Sequence, residues 1–135
     1  IEDNVFKESS RINSTFGGNL VDMVRFKIIL ETIKKFSLLK NVQECGAFLF
    51  NKIQYLESSF PGFISNSRGL GLFAAFDLPS STERDRVINK AMENKLLILS
   101  SGDYSIRFRP HLTVTKEEIS IAIDILYKSI KEILN

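Results

Sequence analysis

The chain has 135 residues, 44% hydrophobic and 25% charged, which fits one domain or one domain with an appendage and argues against disorder. A net charge of +2 is too weak to point to nucleic acid or a membrane surface as a partner, and no apolar run approaches the roughly 20 residues of a bilayer span. One cysteine, Cys45, allows no internal disulfide and fits a reducing, cytoplasmic compartment.

Residues 1–18 are polar and irregular and end in Phe16-Gly17-Gly18, a turn signal. The opening IEDNVFKESS begins at Ile1 and reads as a fragment or a processed chain. A helix is predicted from about Asn19, with Leu20, Met23, Val24, Lys27, Leu30 and Ile33 keeping steps of three and four, Lys27 the one polar interruption, and the pattern weakens near Lys35-Phe36-Ser37. A second helix runs from about Leu38 to Glu57, with Leu39, Val42, Gly46, Leu49, Ile53 and Leu56 on its buried face, and Pro61-Gly62 ends it. Two β segments follow at 63–66 and 70–78, the second with Leu72, Ala74, Phe76 and Leu78 on one face. Ser67-Arg68-Gly69-Leu70-Gly71 between them reads as a hairpin or bulge.

Ser81 or Thr82 caps a helix to about Asn94, with Val87, Ile88, Ala91 and Met92 inward. Short strands are predicted at 96–99 and 104–108, the latter stopped by Pro110. Thr115-Lys116-Glu117-Glu118 is a capping box opening a last helix with Ile119, Ala122, Ile123, Leu126, Ile130 and Ile133 inward. Short loops in this order predict an α+β domain, a mostly antiparallel sheet with helices on one face. The first 37 residues add little to its core and look like the end of another domain.

Three segments can carry chemistry. In Asn13-Ser14-Thr15-Phe16-Gly17-Gly18-Asn19, hydroxyls and free amides at a helix start suit either an anion or an ordinary capped helix. In Ile106-Arg107-Phe108-Arg109-Pro110, arginines two apart share a strand face and suit either a carboxylate or a solvated sheet edge. Arg68-Gly69-Leu70-Gly71 lacks the third glycine and the following helix of a nucleotide loop, so a bulged hairpin is the better reading. His111, the only histidine, has no partner at metal-ligand spacing, so no metal site is expected.

DNVF, SRINSTFGGNLVDMVR, RGLGLFAAFDLP, SIRFRPHLTVT and the closing helix, in that order, resemble the class III aminotransferases, which depend on pyridoxal 5'-phosphate (PLP). INSTFGGNLVDMVR together with IRFRP is most similar to the lysine 6-aminotransferase branch, with ornithine and GABA aminotransferases as near relatives. The resemblance covers essentially the whole chain. It implies the C-terminal small domain of a fold-type I transferase at 38–135, preceded at 1–37 by the end of the large PLP-binding domain and a connecting helix.

It also implies roles. Thr15, helped by Ser14, would bind the PLP phosphate of the neighbouring subunit of a homodimer, and Asn13 beside it would face the substrate. Arg107 would grip the α-carboxylates of the amino acid and of 2-oxoglutarate. Arg109 would make structural or domain-interface contacts, and Arg68 and Gly69 would be structural. The family's RFxPPL is here Arg109-Pro110-His111-Leu112 after the strand, which puts the loop shape in doubt and leaves Arg107 in place.

The family's Schiff-base lysine, the aspartate that pairs with the pyridine nitrogen and most of the phosphate site would fall upstream of Ile1. No catalytic residue is therefore expected in this chain. The reaction implied for the whole enzyme moves the ε-amino group of L-lysine onto 2-oxoglutarate. An ornithine or other ω-amino-acid aminotransferase, or a non-catalytic amino-acid-binding or structural module, are the alternatives.

Overall fold

A computed structural model describes residues 7–9 and 14–135. They fall into two units, Ile1–Phe36 and Ser37–Asn135. The first contains helix α1, Leu20–Lys35. Asn19 caps it, its side chain accepting from the Val21 amide at 2.9 Å. Asp22 in the first turn and Lys34 and Lys35 in the last complement the helix dipole. None of its residues is buried, and Leu20, Val21, Met23, Val24, Phe26 and Ile28 are all exposed.

The second unit runs α2 (Leu38–Ser59), β1 (Ser65–Leu70), β2 (Phe73–Asp77), α3 (Ser81–Glu93), β3 (Leu99–Ser101), β4 (Ser105–Phe108) and α4 (Lys116–Leu134). The four strands form one sheet in the order β1-β2-β4-β3, and every pair is antiparallel. Alternation along the strands sends Ala74 and Phe76 of β2, with Ile106 and Phe108 of β4, into one core that Leu72 joins from the turn before β2. Leu49, Ile53 and Leu56 of α2, Val87 and Ala91 of α3, and Ile119, Ile123, Leu126 and Ile130 of α4 close that core from the same side. This is the α+β architecture expected from the sequence, with the capping box of Thr115 and Glu118 in place at the start of α4.

The details differ in instructive ways. On α2 the buried stripe is rotated: Leu38 and Cys45 are buried and Leu39 is exposed. Met92 also points to solvent, because the α3 stripe that reaches the sheet is the narrow one through Val87 and Ala91. The α3 cap is Ser80, whose hydroxyl accepts from the Glu83 amide. β3 begins only at Leu99, so residues 96–98 approach the sheet outside its ladder. Arg68 and Gly69 belong to β1 itself, with an irregularity between Ser65 and Arg68, and the tight turn lies at Gly71-Leu72.

Backbone meets backbone where α2 crosses the β1–β2 turn. A Cβ on Gly46 would lie 2.5 Å from the Gly71 carbonyl carbon, and Gly71 itself has φ +57. Gly46→Ala should raise helix propensity, by about 1 kcal/mol. The steric clash should win, destabilising the chain by about 1–3 kcal/mol. Urea unfolding measures the difference, and a stabilised variant would refute the close packing.

Candidate functional site

Of the three segments singled out by sequence, Asn13–Asn19 belongs to the first unit and Ile106–Pro110 to the second. In the first, residues 14–18 form a tight turn ahead of α1. The Gly17 amide donates to the Ser14 carbonyl at 3.3 Å and the Asn19 amide to the Phe16 carbonyl at 3.2 Å. Gly18 has φ +81, a conformation that costs a side chain strain. Ser14 and Thr15 are exposed. Among the described residues neither hydroxyl has a hydrogen-bond partner. The Val21 amide is already taken by Asn19, and the two hydroxyls stand on the turn as exposed donors. Two exposed donors on a turn fit a phosphate oxygen. Asn13 lies outside the described residues.

In the second unit, Arg107 sits on β4 between Ile106 and Phe108, which point into the core, so its side chain leaves the opposite face of the sheet. The register places Arg68, Ala75 and Arg107 in one cross-strand row and Asp77 and Ser105 in the adjacent row. Asp77 is buried, at 7% exposure. It accepts from Ser105 Oγ at 2.5 Å, from Asn66 Nδ2 at 2.6 Å and from Arg68 Nη1 at 2.8 Å. Arg68 Nη2 also donates to Ser105 Oγ at 3.0 Å. Asn66 has φ +54 at the irregularity in β1, which turns both Asn66 and Arg68 toward the same carboxylate. Burial alone would raise the Asp77 pKa, but the Ser105, Asn66 and Arg68 hydrogen bonds and the Arg68 charge outweigh it, and the carboxyl titrates below its ordinary value.

Arg107 is in the opposite condition. Its Nε is buried without a hydrogen-bond partner, and it makes no ion pair among the described residues. The β4 strand holds it rigidly, and the loop after the strand is fixed from α2. Asn41 Nδ2 donates to the Leu112 and Val114 carbonyls at 2.8 and 3.0 Å, and the buried Cys45 thiol to the Val114 carbonyl at 3.3 Å. The loop that carries His111 is thus held by side chains, and His111 Nδ1 lies 2.9 Å from Thr113 Oγ1. A largely apolar cavity of about 210 Å³ has Arg107, Arg109 and Pro110 among its walls.

A charged side chain with a buried, unsatisfied donor on a strand is a poor stability device and a good receptor for a planar anion. Asp77, Asn66 and Ser105 were not singled out from sequence. Their only signal is an acid and a serine at outward positions of two strands, and it acquires meaning once the register is known.

Residues 3–130 match the family described as aminotransferase class-III. The chain is 42% identical over 131 residues to an L-lysine-epsilon aminotransferase from Amycolatopsis lactamdurans, covering 96% of this chain and 29% of that protein. It is 35% identical over 125 residues to a probable mitochondrial 4-aminobutyrate aminotransferase of Caenorhabditis elegans, covering 93% of this chain and 26% of that protein. The solved structure of a lysine aminotransferase from M. tuberculosis superposes with a TM-score of 0.86 at 39% identity, over 98% of this chain and 30% of that one. The chain thus spans about 30% of the length of the relatives it matches, and its architecture is that of the small domain of fold-type I enzymes.

The Asp77 network gives a pH signature. Its folded pKa is lowered, so its contribution is present above the unfolded value near 3.8 and is lost as pH falls through the folded value. Stability of the chain should therefore drop progressively below about pH 4. Asp77→Asn should lose stability at neutral pH and show a shallower acid fall. Chemical denaturation at a series of pH values measures both, and an unchanged acid slope would exclude the ionised pair.

Proposed function

The chain belongs to the class-III aminotransferase family, and from that premise we propose that it is the C-terminal portion of a lysine 6-aminotransferase. The whole enzyme moves the ε-amino group of L-lysine onto 2-oxoglutarate, giving glutamate and 2-aminoadipate 6-semialdehyde. Higher identity to the lysine-epsilon enzyme than to the 4-aminobutyrate enzyme, 42% against 35%, supports lysine as donor. Residues 1–37 are the end of the large domain and 38–135 the small domain, in a homodimer. The unpaired thiol of Cys45 fits a cytoplasmic setting.

The observation that carries the reading is Arg107: a guanidinium fixed on a strand with a buried donor left open. Its fork matches a carboxylate through two parallel hydrogen bonds, so it orients the α-carboxylates of both substrates. PLP, when bound, supplies the electron sink for amino-group transfer. Of this chain, Thr15 and Ser14 would hold its phosphate through their hydroxyls, across the dimer interface, with Asn13 toward the substrate. The lysines here do not stand in the family's Schiff-base motif, so this chain by itself is inactive.

Arg107→Ala in the assembled enzyme should remove about 2–5 kcal/mol of carboxylate binding. KM for both lysine and 2-oxoglutarate should then rise at least about thirtyfold. Unchanged KM for both would remove Arg107 from the substrate site. Thr15→Ala should weaken retention of PLP on dialysis, read by absorbance, with substrate KM altered far less. A variant that keeps its cofactor as tightly as the parent would rule out the phosphate role.

A further inference from the structure

The reaction proposed above presents one site with two opposite charges in turn. By ordinary pKa values L-lysine is a net monocation near neutral pH and 2-oxoglutarate is a dianion. A fixed charge beside the site therefore helps one and hinders the other.

Arg109 is placed to act as such a charge. It is exposed, and it follows β4 directly, between Phe108 and Pro110. A residue before proline is held extended, so Arg109 continues the alternation of the strand and shares the face of Arg107, roughly 7 Å further along. Both arginines border the cavity of about 210 Å³. The segment that carries Arg109 is tied at both ends. On one side β4 is held in register between β2 and β3. On the other, Asn41 Nδ2 donates to the Leu112 and Val114 carbonyls.

The acids nearby do not cancel this charge. Asp77 stands on the same face of the sheet but lies opposite Ser105, four residues from Arg109 along the strand direction. That is roughly 13 Å, beyond a Debye length at physiological salt. Glu118 borders the same cavity, but its Oε2 accepts from the Thr115 amide and hydroxyl, and it forms no ion pair with Arg109 among the described residues.

We propose that Arg109 sets substrate preference through space: its charge favours the dianionic acceptor over the cationic donor, while Arg107 makes the direct carboxylate contact. Arg109 is thus a specificity-determining residue that touches neither substrate. The proposal rests on the reading of the whole enzyme as a transaminase of lysine and 2-oxoglutarate.

Steady-state kinetics of the assembled enzyme with both substrates decide it. Arg109→Gln should raise KM for 2-oxoglutarate about threefold and lower KM for lysine about 1.5-fold, with kcat changed far less. Potassium chloride at roughly 0.5 M should shrink both shifts to less than half, because salt shortens the reach of an exposed charge. Arg109→Lys should match the parent, since charge acts here and not the guanidinium fork. A purely structural role gives another pattern: both KM values move the same way, salt leaves the shifts in place, and Arg109→Lys does not rescue. That pattern, or unchanged KM for both substrates, overturns the proposal. Should Arg109→Gln fold poorly, Arg109→Met keeps an apolar stem and must meet the same criteria. An assembled parent enzyme that does not transaminate lysine at all would instead defeat the reading on which the proposal rests.

Discussion

The alignment of β4 against β2 governs the second unit. It pairs Phe76 with Ile106 on the helix side and Asp77 with Ser105 on the other. A slip of one residue would turn Ile106 and Phe108 to solvent and drive Ser105 and Arg107 into the core. The cost of burying a guanidinium without a partner is several kcal/mol or more, so the hydrophobic core and the position of Arg107 are enforced by the same choice. Core packing is thus what aims the cation.

On the face turned away from the helices the organising question is how charge is shared. Two arginines and one aspartate cannot all be neutralised, and local backbone geometry decides which cation Asp77 pairs with. The positive φ of Asn66 and the hydroxyl of Ser105 make that decision through short hydrogen bonds. Asn41 and Cys45 extend the same support to the loop beyond Pro110, so two helical turns of α2 reach the end of the strand that bears Arg107.

Much of this was legible beforehand, for definite reasons. The alternation in Leu72, Ala74, Phe76 and Leu78 and the capping box at Thr115 and Glu118 are local signals, and both hold. Arg107 was visible because strand parity and the following proline define its face. The bonds of Arg68 to Asp77 and Ser105 were not, since they depend on an irregular strand pairing, and Ser105 lies thirty-seven residues away in sequence. The α2 stripe shifted for a related reason. Leu39 fits the period as well as Leu38 does, and only the position of the hairpin against Gly46 determines the rotation of the helix. Met92 was misplaced because periodicity measures the width of an apolar stripe without knowing how much of it a neighbour covers.

Helix α1 buries none of its residues, whereas the ninety-nine residues of Ser37–Asn135 close around a core of their own. Sixteen residues is near the limit at which an isolated helix persists in water. Maturation is therefore expected to be sequential. The sheet and its three helices can form as an independent nucleus, while α1 awaits a surface that desolvates it. As long as they stay uncovered, the exposed aliphatic side chains of α1 are a liability to self-association.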